Sequence, residues 1–141
     1  MTLAPKPSET QPSTTVPVVL LIDDHLETRA SASELLADLG YQPVVARNGL
    51  EGLQLLRRGL APAALLIDLY MPLMDADSFC DALNEEPALT AIPRIIVSAD
   101  HGAGTAWRLS RCRARGFLRK PLDLSELETL LEQVLRSVDE T

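Results

Sequence analysis

The sequence predicts an α/β protein: one doubly wound parallel sheet of five strands alternating with five helices. Three observations carry this. Short apolar runs recur along the chain, and amphipathic stretches separate them. All but the second and the last of these runs are nearly continuous Val, Ile, Leu and Ala, the composition of strands buried on both faces.

The strands are expected at Val18–Ile22, Gln42–Ala46, Ala64–Ile67, Arg94–Val97 and Gly116–Leu118. Between the first two, a helical pattern from about His25 to Leu39 stops at Gly40, a helix-terminating residue. A second helix is expected over Leu50–Arg58 before Gly59, a third over Asp77–Glu86 before Pro87, and a fourth over Gly104–Arg113. The last, Ser125–Val138, has the clearest periodicity. Leu124, Leu127, Leu130, Leu131, Val134, Leu135 and Val138 share one face, and Ser125-x-x-Glu128 reads as a capping box at its start. Ahead of the first strand, residues 1–16 are rich in Pro, Ser and Thr and poor in apolar side chains. They are expected to be a disordered leader, with the folded domain over residues 17–139.

Composition narrows the function. With 141 residues, 46% hydrophobic and 23% charged, the chain can bury one proper core and has no room for a second domain of output type. Its net charge of −7 disfavours nucleic acid or anionic lipid as the main partner. The two cysteines, Cys80 and Cys112, lie in no metal-binding spacing and read as small buried hydrophobes of a reducing compartment. No apolar stretch approaches the ~18 residues of a membrane span, and no secretory signal is visible. A cytoplasmic location is expected.

Ligands of such sheets bind at the carboxyl ends of the strands. There the first strand offers Asp23 and Asp24, the third Asp68, the fourth Ser98 and the fifth Lys120 followed by Pro121. Singly, Asp24 reads as a helix N-cap, Ser98 as a turn residue and Lys120 as a surface lysine. Together they place three carboxylates, a hydroxyl and an ammonium on one edge. Three crowded carboxylates need a cation, and an all-oxygen donor set selects a hard one, Mg²⁺ or Mn²⁺. Mg²⁺ takes one or two carboxylates, which leaves one free as a nucleophile toward a phosphoryl group. Asp68, alone on a central strand, is best placed. Lys120 and Ser98 then serve the equatorial oxygens of the phosphoryl in flight.

The stretches LLIDD (20–24), LLIDLYMPLMDAD (65–77), RIIVSAD (94–100) and GFLRKPLD (116–123) resemble the motifs of response-regulator receiver domains. Asp68 lies 44 residues after Asp24, Ser98 30 after Asp68 and Lys120 22 after Ser98, spacings that agree with the family. The resemblance implies a flavodoxin-like sheet in the order 2-1-3-4-5. It implies Asp68 as phosphoacceptor, Asp24 as a direct Mg²⁺ ligand, Asp23 as holder of a metal-bound water, and the backbone carbonyl of Tyr70 as a further ligand. It also implies Ser98 and the aromatic Phe117 as a switch pair, Lys120 as the phosphoryl-contacting lysine and Pro121 as its cis-proline partner. The donor is then a histidine kinase or a histidine phosphotransfer protein, and the output a protein contact made by helix four, strand five and helix five. The chain is expected to be a signalling phosphoacceptor rather than an enzyme, either a stand-alone receiver similar to the chemotaxis regulators or a receiver cut from a hybrid kinase or larger regulator. An aspartyl-nucleophile phosphatase is disfavoured, because Asp68-Leu69-Tyr70 lacks the second acid of Asp-x-Asp. A receiver-like binding module that never turns over phosphate is disfavoured by the complete residue set.

Two positions depart from the family pattern: Ala76 and Arg113 stand where Gly is usual, which bears on loop shape. Tyr70 and Asp100 are expected to tune dephosphorylation, and His25 and His101 to be surface residues. The run Arg108, Arg111, Arg113, Arg115, Arg119 and Lys120, with Trp107, is expected to dock an acidic partner or Glu126, Glu128 and Glu132 of a second copy.

Overall fold

The computed structural model describes residues 16–99 and 104–139. Residues 1–15 of the expected leader, Asp100 and His101 lie outside the described residues. In order, the elements are β1 (Val18–Ile22), α1 (Leu26–Asp38), β2 (Gln42–Ala46), α2 (Gly49–Arg57), β3 (Ala64–Asp68), α3 (Ala76–Asn84), β4 (Arg94–Ser98), α4 (Thr105–Arg111), β5 (Gly116–Arg119) and α5 (Leu124–Asp139). The sheet is fully parallel, ordered β2-β1-β3-β4-β5, as the family resemblance implied.

Strand alternation splits the core into two layers. Leu20, Ile22, Leu65, Ile67 and Ile96 face α2, α3 and α4, where Leu53, Leu56, Phe79 and Leu83 meet them. Val19, Leu21, Leu66, Ile95 and Val97 face α1 and α5, where Ala32, Leu36, Leu127, Leu131 and Val134 close the other side. Each buried Leu or Ile contributes roughly 1.5–3 kcal/mol, so a sheet sandwiched between helices is the arrangement that satisfies all five strands. Cys80 and Cys112 are fully buried within it, as expected.

Helix ends show where sequence reading went astray. The capping box expected at Ser125-x-x-Glu128 is not used: α5 begins at Leu124, and Asp123 Oδ2 accepts the Glu126 N–H at 3.0 Å. The carboxylate two residues earlier outcompetes the hydroxyl, being charged and set against the positive end of the helix dipole. Likewise Asp75, not Asp77, opens α3, accepting the Ser78 N–H at 2.9 Å. Asn48 caps α2, accepting from Glu51 N–H at 2.8 Å, while Glu51 Oε1 reaches back to the Arg47 N–H at 2.6 Å. Gly40 and Gly59 end α1 and α2 with φ of 95° and 112°, a conformation that side chains oppose.

Both glycine departures have a structural outcome. Ala76 is the buried first residue of α3, and the left-handed residue of the preceding loop is Leu73, with φ 69°, so no glycine is required at 76. Arg113 does sit at φ 57°, in the region where glycine is free and other residues are strained. One buried charge was not foreseen. Arg94 opens β4 with 1% exposure, and its guanidinium donates to the carbonyls of Cys112 at 3.0 Å and Thr90 at 3.2 Å.

Candidate functional site

Strand register assembles the site. Ile22 pairs with Ile67, so Asp23 lies level with Asp68; Asp68 pairs with Val97, one before Ser98; Ser98 pairs with Arg119, one before Lys120. The residues therefore form a line across the carboxyl edge of β1, β3, β4 and β5. Asp68 and Ser98 are the last residues of their strands rather than the first beyond them, because pairing continues through both. The Lys120–Pro121 peptide bond is cis.

Asp23, Asp68 and Ser98 are almost wholly buried, while Asp24 is more open. Lys120 Nζ stands between two of the acids, 2.7 Å from Asp23 Oδ2 and 3.5 Å from Asp68 Oδ1. Asp23 Oδ1 accepts the His25 N–H at 2.8 Å, and the Asp23 carbonyl accepts from Arg29 Nη1 at 2.9 Å. The acid pair is thus held by the turn and does not cap α1, whose N-cap position, His25, makes no side-chain capping bond. Asp68 Oδ2 is buried with no hydrogen-bond partner among the described residues.

Burial, and then the charge of Asp23, push the Asp68 carboxyl up to about 6; Lys120 and the Tyr70 N–H pull the other way without cancelling the rise. A buried carboxylate oxygen with no donor beside a second acid is a site short of positive charge. One donor atom each from Asp23, Asp24, His25 and Asp68 lie within 4.8 Å of one another. That spacing and oxygen-rich donor set fit a divalent cation.

His25 is a surface residue, as expected. Its ring is exposed, yet Nδ1 lies 3.2 Å from both Asp23 Oδ1 and Asp24 Oδ1. The signal was its position directly after the acid pair. Tyr70, in the turn two residues past Asp68, is half exposed, with the Arg108 guanidinium 4.8 Å from its ring centroid. Phe117 is half-buried on β5 opposite Ile96, beside a groove of about 540 Å³ lined also by Arg119, Glu126 and Leu130. The basic run is not a single free surface. Arg108 and Arg111 of α4 pair with Asp77 and Asp81 of α3, at 3.1 Å for Arg108 Nε to Asp77 Oδ2.

An open parallel α/β sheet with buried acids, a hydroxyl and a lysine converging on its carboxyl edge has its polar cluster where proteins of the doubly wound class bind their ligands. The family model for the response regulator receiver domain matches residues 19–132. This chain belongs to that family, whose members are signalling phosphoacceptor domains that bind Mg²⁺ in an acidic cleft and work with histidine kinases and phosphotransfer proteins.

The chain is 30% identical over 120 residues to the sensor histidine kinase CheAY of Helicobacter pylori, covering 84% of itself and 15% of that kinase. It spans about half the length of other curated relatives, 49% and 51% in two of them. Among solved structures, it is similar to the receiver domain of a signal transduction histidine kinase from Syntrophus aciditrophicus. That match has 27% identity and a TM-score of 0.80, covering 89% of this chain and 95% of the other. The receiver domain of a sensor histidine kinase from Pseudomonas aeruginosa PAO1 has the same fold at 20% identity, with a TM-score of 0.79 over 86% of this chain and 99% of that one. Its structure carries a magnesium ion in the active-site cleft. Among the described residues no helix is long and apolar enough to cross a membrane.

Proposed function

We propose that this domain accepts a phosphoryl group on Asp68 from a histidine kinase or histidine phosphotransfer protein and signals through a protein contact. The buried, unpartnered Asp68 Oδ2 at the mouth of the acid cluster is the observation that carries the reading. Asp24 and Asp68, the Tyr70 carbonyl and, through a water, Asp23 would hold Mg²⁺ or Mn²⁺. The Pseudomonas neighbour, with magnesium in its cleft, supports this assignment. A bound divalent cation supplies the positive charge that keeps Asp68 ionised and offsets the phosphoryl oxygens.

Asp68 attacks phosphorus through a carboxylate oxygen. The new bond is Asp68 O–P, the bond broken is P–N of the donor phosphohistidine, and the departing imidazole nitrogen takes a proton from solvent. Lys120 Nζ, already 3.5 Å from Asp68 Oδ1, pairs with one equatorial oxygen, and Ser98, buried at the end of the neighbouring strand, donates its hydroxyl to another. As Ser98 moves, Phe117 turns inward and the α4–β5–α5 face repacks for a downstream protein or a second copy. The domain turns over no external substrate; loss of the phosphoryl group is its own slow hydrolysis, tuned by Tyr70 and Asp100.

Incubation with a small phosphodonor and Mg²⁺, followed by phosphate-affinity electrophoresis, tests this. A retarded band is expected for the wild type, and none with EDTA or in Asp68→Asn. A retarded band in Asp68→Asn overturns the assignment.

A further inference from the structure

Arg108 lies in the middle of α4, yet its side chain reaches back to the turn behind Asp68 and is only 16% exposed. Its Nε donates to Asp77 Oδ2 at 3.1 Å and Oδ1 at 3.3 Å, and its Nη2 donates to the Leu69 carbonyl at 3.2 Å. The guanidinium plane also covers the Tyr70 ring, 4.8 Å from the centroid. One side chain thus touches both residues that follow the phosphoacceptor, and the second residue of α3.

These contacts act on one peptide unit. The Leu69 carbonyl and the Tyr70 N–H belong to the same amide, and in a trans peptide they point in opposite directions. Arg108 holds the oxygen, and with it the plane of this amide, from the α4 side. Fixing the carbonyl therefore also fixes the direction of the N–H, two residues past the reacting group. Arginine suits this task because its planar fork can serve Asp77 and Leu69 together while stacking on an aromatic ring, which a lysine ammonium cannot do.

We infer that Arg108 is a positioning residue, a clamp that ties α4 to the turn behind Asp68 by holding the Leu69 carbonyl and covering the Tyr70 ring. This rests on Asp68 being the phosphoacceptor. The clamp joins the active turn to the helix of the output face, so that displacement of α4 and the placement of the turn behind the reacting carboxylate are reciprocally linked. Arg111 Nη1 lies 3.7 Å from Asp77 Oδ2, so Asp77 keeps a cationic neighbour when Arg108 is replaced.

The test compares Arg108→Gln and Arg108→Lys with a control, Arg58→Gln, at an exposed position outside both the cluster and the basic run. The amide proton of Tyr70 is followed by NMR in the free protein, and phosphoryl transfer from a small phosphodonor is timed at saturating Mg²⁺. Both Arg108 variants should shift the Tyr70 amide upfield and slow phosphorylation roughly tenfold, with thermal midpoint and Mg²⁺ affinity close to wild type. Arg108→Lys retains the charge opposite Asp77, so the readout survives if Arg108→Gln folds poorly. A Tyr70 amide unmoved relative to the control overturns the clamp, as does an unchanged rate in variants whose wild type is phosphorylated. If the wild type takes no phosphoryl group, the phosphoacceptor reading falls, and the amide shift alone decides whether the clamp exists.

Discussion

At the scale of single residues, Asp68, the proposed phosphoacceptor, carries an electrostatic cost. In metal-free protein its carboxyl is raised from 3.8 to about 6 by burial and by Asp23, so the folded state holds that proton more tightly than the unfolded chain. The associated stabilisation is complete below about pH 4 and is lost as pH rises through about 6. Asp68→Asn cannot ionise and escapes that loss. Urea unfolding in EDTA should therefore show the variant more stable than wild type at pH 7.5, by up to about 3 kcal/mol, with no advantage near pH 4. An advantage equal at both pH values would mean the charge is not its cause. Arg113 carries a backbone cost instead: at φ 57°, Arg113→Gly should stabilise by about 1 kcal/mol, measured as a raised denaturation midpoint. The acids were legible in the sequence because parallel strands deliver consecutive strand ends to one edge. Arg108 was not, because its partner Leu69 lies 39 residues away and only packing of α4 on the β3–α3 turn joins them.

At the scale of elements, every strand and helix expected from alternation is present, since runs buried on both faces and amphipathic stretches have few other ways to hide their apolar sides. The boundaries were less legible. Several polar residues near α5 can cap it, and hydropathy does not rank Asp123 against Ser125. The observed cap gives a clean contrast: Asp123→Ala should cost about 1 kcal/mol and Ser125→Ala only a few tenths, read from thermal or urea unfolding. Equal losses would restore the capping box. The same competition explains the acids that do not cap. Asp23 and Asp24 precede α1 but leave its N-cap to His25, since Asp23 is engaged by Lys120 and the turn.

At the scale of the whole molecule, the sheet separates two functions. Its carboxyl edge gathers the charge, and its β5–α5 border carries Phe117 and the groove beside it. The proposed switch links them through Ser98, and exposed Trp107 on α4 offers a native reporter. Phosphorylation should change Trp107 fluorescence in the wild type, whereas Phe117→Ala should still accept a phosphoryl group but respond weakly. A full response in Phe117→Ala would remove the ring from the relay. The net charge of −7 also reads differently once the fold is known: Asp23, Asp24 and Asp68 cluster at one edge of the sheet, and Asp77 and Asp81 pair with α4, so part of the acidity is structural.

Everything proposed for this domain depends on Asp68 taking up a phosphoryl group in a cation-dependent pocket. Intact-mass measurement after treatment with a small phosphodonor tests it most directly. One added phosphoryl group is expected on the wild type with Mg²⁺, and none with EDTA or in Asp68→Asn. No mass gain on well-folded, Mg²⁺-loaded wild type, or a gain that persists in Asp68→Asn, would contradict it.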